Sequence, residues 1–254
     1  MAGRALADYG RLLDVITVEV AALAESARAI GPDAPVPTCP GLTSGETVRH
    51  VGSVYRMVLT WLRSGSRPES WPRGPEPGVP LLDWLRDGAR DLVGELAAHE
   101  PDEPGPTWWE EDETYGFWRR RMAHETTVHR VDLRIAAGSG AGEIADDLAL
   151  DGVDEVLTLW FTHRLRVLGV SGTREGSVAV RAGDRVWLTR AGMWGTSARR
   201  ADQDEARRAD SEVSASPAQM YLWLWGRAPY SAARMDGDVD AAAQLWALLR
   251  LATR

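Results

Sequence analysis

Apolar residues recur every three or four positions through the first two thirds of the chain and alternate with polar ones in the last third. The first period belongs to helices that bury one face, the second to half-buried strands. Across residues 4–30, Leu6, Tyr9, Leu13, Ile16, Val20 and Leu23 form one helical stripe, and Gly31-Pro32 ends it. A connector held extended by Pro35, Pro37 and Pro40 follows. Thr43-Ser44-Gly45-Glu46 is a capping-box pattern that opens a second helix to about Arg63, with Val48, Val51, Tyr55, Val58 and Leu62 inward. Residues 65–80 are rich in Gly and Pro and read as a long loop, of the kind that is functional or mobile. A third helix is expected from about Leu81 to His99. An acidic, Pro-rich loop carrying Trp108 and Trp109 leads to a fourth, Trp118 to Ala136. A fifth runs from about Ala145 to Leu168.

Beyond Gly169 the period changes. Ser177 to Val180 and Arg185 to Thr189 alternate around Ala182-Gly183-Asp184, which reads as a hairpin. Residues 198–213 suggest further strands with a mobile turn at Gln203-Asp204-Glu205. Ser216-Pro217 caps a helix through Trp225, a short strand spans Ala233 to Met235, and a last helix runs from Val239 to Thr253. The pattern predicts an α+β protein: a four-helix bundle over residues 1–143, a connecting helix over 144–172 and a smaller α/β domain over 173–254.

Composition narrows the chemistry. A net charge of -8 argues against nucleic acid as a partner. No stretch is long and apolar enough to span a membrane, and the N-terminus lacks an apolar leader, so a cytoplasmic protein is expected. All 29 basic residues are Arg, and Asn is also absent, which fits a GC-rich genome. The single cysteine, Cys39, excludes an internal disulfide and any multi-cysteine metal site; in its Pro-rich turn it reads as structural.

The fourth helix holds the unusual pattern. Trp118, Met122, Glu125, His129, Asp132 and Ala136 share a stripe, while Arg119, Arg120, Arg130 and Arg134 lie opposite, on a side expected to be wet. Burying a lone carboxylate is costly, so Glu125 on the inner stripe needs a partner. Glu125 and His129 are spaced i, i+4, one turn apart. That is a metal-ligand spacing, and equally the spacing of an ordinary Glu–His pair. A metal would need a third ligand. Of the five histidines, His99 ends a helix, His163 sits among arginines and His124 points away from the stripe, which leaves His50 on the second helix. Alone, His50 would read as a half-buried, hydrogen-bonded residue. Two histidines and a carboxylate leave a coordination position open on zinc, and the same set suits Fe(II), Ni or Co. Asp132 could orient His129 from behind, or pair with Arg121 or Arg134.

Several segments in order, CPGLTSGETVRH, AHETTVHRVDLRIAAG, LALDGVDEVL, LWLWGRAPY and MDGDVDAA, resemble the mycothiol-dependent maleylpyruvate isomerase family over nearly the whole chain. The resemblance implies a DinB-like metal-binding bundle joined to a smaller α/β domain. It implies His50, Glu125 and His129 as ligands of a divalent metal, zinc foremost, and Arg227 as an active-site arginine from the second domain. It implies mycothiol as cofactor, an actinobacterial host, and an isomerase or thiol transferase acting on a small electrophilic, carboxylate-bearing substrate. Leu42 stands where these proteins commonly have Trp, so the substrate stays open. Without the resemblance, Arg227 reads equally as a structural arginine, and Trp108, Trp109 and Trp118 as core rather than as cleft walls. The expected partners are a small substrate and a low-molecular-weight thiol, with the chain a monomer or small homo-oligomer. A non-catalytic ligand-binding protein with a structural metal, and a metal-dependent hydrolase, are the alternatives.

Overall fold

The computed structural model describes residues 4–253. The chain divides into two compact units, Asp8–Gly142 and the stretch from Glu143 onward, the second of which also takes up the short segment before Asp8. The architecture is a helical N-terminal part followed by an α/β part, as the two periods predict. No helix among the described residues is long and apolar enough to cross a membrane.

The first unit contains α1 (Tyr9–Ile30), α2 (Ser44–Ser64), α3 (Leu81–Ala97) and α4 (Tyr115–Ala136). Asp8 caps α1 by accepting from the backbone N–H groups of Gly10 and Arg11. The helix therefore starts later than its apolar stripe, because the residues before it serve the other unit. Thr43 and Glu46 form the expected capping box of α2. Leu12, Ile16, Leu23, Val51, Tyr55, Val58, Leu85, Leu92, Trp118 and Met122 fill the interior. α2 and α3 approach closely at Gly52, where a Cβ would lie 2.4 Å from the Trp84 ring. The 65–80 loop is pinned to α2 by Trp71, whose Nε1 donates to Ser53 at 2.9 Å.

One expectation fails on α4. Its arginine-bearing side is not wet: Arg119, Arg120 and Arg130 are buried and Arg134 is half-buried, and Arg121 is buried as well. Arg119, Arg130 and Arg121 have acceptors that make burial tolerable. Arg119 donates to the carbonyls of Leu96 and His99 at the end of α3. Arg130 pairs with Glu19 of α1 and donates to the Ala141 carbonyl. Arg121 pairs with Glu125. α4 is the inner helix of the bundle, and a periodicity argument that treats arginine as a surface residue misses this. Trp109 and Trp118 are core residues, and the Trp108 ring meets Phe117 edge-on.

In the second unit the expected connector is one long helix, in three parts, packed within the unit itself. α5 (Asp146–Glu155) runs into a π-helical segment (Val156–Arg164) and a final turn, α6 (Leu165–Leu168), ending at Gly169 in the left-handed region. Buried Asp154 holds this helix to the sheet by accepting from Trp187 Nε1 at 2.8 Å and pairing with Arg200 at 2.7 Å. Asp151 accepts from the backbone N–H of Leu6, and Arg200 donates to the Arg4 carbonyl, so the N-terminal segment is stitched to this unit.

The sheet has the order β3-β2-β1-β4-β5, built from β1 (Gly176–Ala182), β2 (Arg185–Gly192), β3 (Gly195–Ala201), β4 (Ser211–Ala215) and β5 (Arg234–Gly237). β1 and β2 form the expected hairpin, with Gly183 at φ 57° in its turn. β1 and β4 pair in parallel. The turn expected to be mobile at Gln203-Asp204-Glu205 is instead a capped helical turn, α7 (Gln203–Ala206). Asp202 and Glu205 cap it, Arg199 pairs with Glu205, and Ala206 packs into a small core with Ala179 and Val186. α8 (Pro217–Leu224), capped by Ser216, and α9 (Val239–Ala252) pack on β1 and β4.

Candidate metal centre

α2 and α4 bring His50, Glu125 and His129 together. His50 Nε2 lies 3.1 Å from Glu125 Oε1, and His129 Nε2 lies 3.5 Å from the same oxygen. The two imidazoles meet edge to face with centroids 5.0 Å apart. The His50 side chain is 47% exposed, Glu125 16% and His129 12%, so the cluster opens to solvent on the α2 side.

The two helices are locked in register one turn from the cluster. Tyr55 OH lies 2.6 Å from Thr126 Oγ1, and Thr126 donates to the Met122 carbonyl, which leaves the phenol as donor to Thr126. Burial holds Tyr55 well above its ordinary pKa, so it stays a donor.

Each inner ligand has a partner behind it. Arg121, one turn before Glu125, takes the second carboxylate oxygen at 2.9 Å and leaves Oε1 to the histidines. Burial pushes Glu125 up. Hydrogen bonds from His129 and His50, with the charge of Arg121, outweigh it and hold the carboxyl well below its usual range. Among the partners open to Asp132, its Oδ2 takes His129, accepting from Nδ1 at 3.0 Å, and Arg134 donates to the Ser139 carbonyl. The same oxygen accepts from Cys39 Sγ at 3.1 Å. Burial pushes His129 down, and the bonds with Asp132, Cys39 and Glu125 raise it well above its ordinary value.

Cys39 thus sits closer to the chemistry than a turn cysteine needs to. A closed turn presents it, with Leu42 N–H donating to the Cys39 carbonyl and Val36 N–H to the Leu42 carbonyl. Nothing in the sequence links Cys39 to Asp132, which lies 93 residues away. Arg121 did carry a signal, its i, i+4 spacing from Glu125. The remaining histidines are placed elsewhere: His99 stacks on Tyr115 and bonds Glu103, His163 meets Arg166, and His124 is buried.

The donor set fits a divalent metal. Two imidazole nitrogens and a carboxylate oxygen lie within 4.8 Å of one another, and Asp132 fixes one imidazole so that Nε2 is the nitrogen left for coordination. Cys39, His129 and Asp132 satisfy the same distance limit. Their hydrogen bonds nonetheless commit Nδ1 and the thiol to Asp132, behind the imidazole rather than in front of it.

Arg227 lies in the second unit, in the turn after α8, where its Nη1 donates to the Trp225 carbonyl at 2.6 Å.

Solved structures that share this fold include two described as one enzyme. One, described as the crystal structure of the mycothiol-dependent maleylpyruvate isomerase, is 14% identical, with a TM-score of 0.54 over 87% of this chain and 90% of that one. The other, a histidine-to-alanine mutant described under the same enzyme name, is 13% identical, with a TM-score of 0.58 over 92% and 95%. No curated protein matches the sequence. Family models describe both parts: the mycothiol maleylpyruvate isomerase N-terminal domain matches residues 13–134, and the MDMPI C-terminal domain matches 147–244. With the bundle, the α/β unit and both domain models in one order along one chain, the protein belongs to the mycothiol-dependent maleylpyruvate isomerase family.

Proposed function

We propose that this chain is a metal-containing enzyme that uses mycothiol to isomerise, or to conjugate with thiol, a small electrophile bearing a carboxylate. The observation that carries the reading is the convergence of His50, Glu125 and His129 with one coordinating atom each, on a cluster open to solvent. Family membership supports it, as do the names of the two structural neighbours. His50 Nε2, Glu125 Oε1 and His129 Nε2 would hold the metal. When bound, a divalent ion such as zinc with an open position stabilises a coordinated thiol as thiolate at neutral pH.

The protein's own residues have separate tasks. Asp132 fixes the His129 tautomer and ring plane. Arg121 keeps Glu125 ionised and directs Oε1 inward. Tyr55 and Thr126 keep α2 and α4 in register, which sets the distance from His50 to the other two. Arg227 binds the substrate carboxylate, since a planar guanidinium matches it with two parallel hydrogen bonds. Cys39, whose thiol is committed to Asp132, is not the nucleophile in this reading.

The test combines elemental analysis with turnover on maleylpyruvate, with and without mycothiol. Wild-type protein is expected to contain one divalent ion per chain and to need the thiol. His129→Ala protein should lose most of the metal. Full metal retention in that variant overturns the ligand assignment. Water-dependent turnover without thiol would favour a hydrolase instead.

A further inference from the structure

The second unit holds a pair of arginines of which the proposed function uses one. α8 ends at Leu224, and the chain turns through Trp225 and Gly226 to Arg227. Arg250 of α9 reaches back to this turn: its Nη1 donates to the Trp223 carbonyl at 3.3 Å and its Nη2 to the Leu224 carbonyl. Arg227 Nη1 takes the next carbonyl, that of Trp225, at 2.6 Å. Three consecutive carbonyls therefore hold two guanidiniums. Gly226 permits the approach, with φ at 75°, because a Cβ there would lie 2.4 Å from Arg250 Nη1 and 2.7 Å from its Cζ.

One arginine at a helix C-terminus is ordinary, since the last carbonyls form the negative end of the helix dipole. Two are more than the dipole asks for. A largely buried guanidinium normally meets a carboxylate, because burying an unpaired charge is costly. Arg250 meets carbonyls and the Trp246 ring, 5.1 Å from its centroid, and its buried Nε has no hydrogen-bond acceptor among the described residues. Burial, then the like charge of Arg227, brings Arg250 down to about 10. The Arg250 charge beside that of Arg227 adds to the positive potential at this turn, which draws an anion.

We propose that Arg250 is a positioning residue for Arg227, and that the two guanidiniums form one anchor for a small carboxylate ligand, with preference for a dicarboxylate. The proposal rests on the assignment of Arg227 to the substrate carboxylate. Arg250 acts in two ways: it clamps the turn that carries Arg227, and it adds a second positive charge that a dianion exploits more than a monoanion.

The probes are maleate and acetate, with dissociation constants from calorimetric or NMR titration at constant ionic strength. Wild type is expected to prefer maleate. Arg250→Met should weaken maleate at least tenfold and narrow the maleate-to-acetate preference, with metal content unchanged. Arg250→Lys, which keeps the charge but not the fork, should recover part of both. It also serves if the Met variant does not fold. A purely structural role would weaken both anions in proportion and would not be rescued by Lys; that result overturns the proposal, as does wild-type affinity for maleate in Arg250→Met. Arg227→Ala separates the two levels. If it abolishes maleate binding while Arg250→Met does not, only the present inference fails. If it leaves maleate binding intact, the carboxylate role of Arg227 fails and this inference with it.

Discussion

Asp132 is the residue on which the candidate centre turns. It is fully buried, and one of its oxygens receives both the His129 N–H and the Cys39 thiol. Partners placed behind a metal-binding histidine typically govern affinity by about 10–100-fold. Asp132→Asn is therefore expected to weaken zinc by about that factor while leaving His50, Glu125 and His129 in place. A competition titration with a chromophoric chelator measures it, and wild-type affinity in the variant would reduce Asp132 to a packing role. Cys39→Ser should lie between the two, since a hydroxyl still donates to the same oxygen but is shorter. At this scale the sequence was partly legible. Glu125, His129 and the need for a partner followed from one helical stripe, because i, i+4 spacing is local. Arg121 is equally local, and its i, i+4 spacing from Glu125 favours that acid over Asp132. The Cys39–Asp132 bond was illegible, since it depends on how a Pro-rich turn folds back on a helix 93 residues later in the chain.

Elements hold those residues at working distance, and α2 is the most exposed to failure, because it supplies His50 alone while α4 supplies the other two ligands. Two contacts fix α2. Gly52, two residues from His50, lets Trp84 of α3 close on the helix, and Tyr55 ties it to α4 through Thr126. Gly52→Ala must push the Trp84 ring aside, which Arg56 resists by stacking over that ring with Cζ 3.9 Å from its centroid. Overpacking of this kind costs about 1–3 kcal/mol, so the urea midpoint should fall, and metal affinity should fall with it as His50 shifts. An unchanged midpoint would mean that α2 and α3 separate freely. Tyr55→Phe should cost about 1 kcal/mol, the usual net worth of one hydrogen bond, since Thr126 keeps its own bond to the Met122 carbonyl. Helix starts were legible where a cap is written in the sequence, as at Thr43 and Glu46. The burial of Arg119 and Arg130 was not, because each depends on carbonyls or acids from other elements. The same reason hid α7: Asp202 and Glu205 make a capping box, but a charge-rich stretch reads as a loop until Ala206 is seen packed against the sheet.

For the molecule as a whole, the division into a helical and an α/β unit was legible because the hydrophobic period itself changes near Ser177. The parallel pairing of β1 with β4 was not, since parallel neighbours are joined by a long connection whose course no local pattern records. Nor was the attachment of the N-terminal segment to the second unit, which depends on Asp151 and Arg200. The two units carry different chemistry: the candidate ligands all lie in Asp8–Gly142, and Arg227 lies in the other. A change at Arg227 is therefore expected to spare the metal. If Arg227 binds the substrate carboxylate, Arg227→Ala should retain wild-type metal content and wild-type thiol affinity yet lose about 2–4 kcal/mol of transition-state binding in kcat/KM, the usual cost of truncating one partner of a charged pair. Arg227→Lys should restore only part, because an ammonium cannot make two parallel bonds to a carboxylate. The measurement is metal analysis, thiol titration and steady-state kinetics on one preparation of each variant. Loss of metal together with activity would mean that Arg227 supports the fold, and unchanged kinetics would leave its guanidinium as no more than a cap on the last carbonyls of α8.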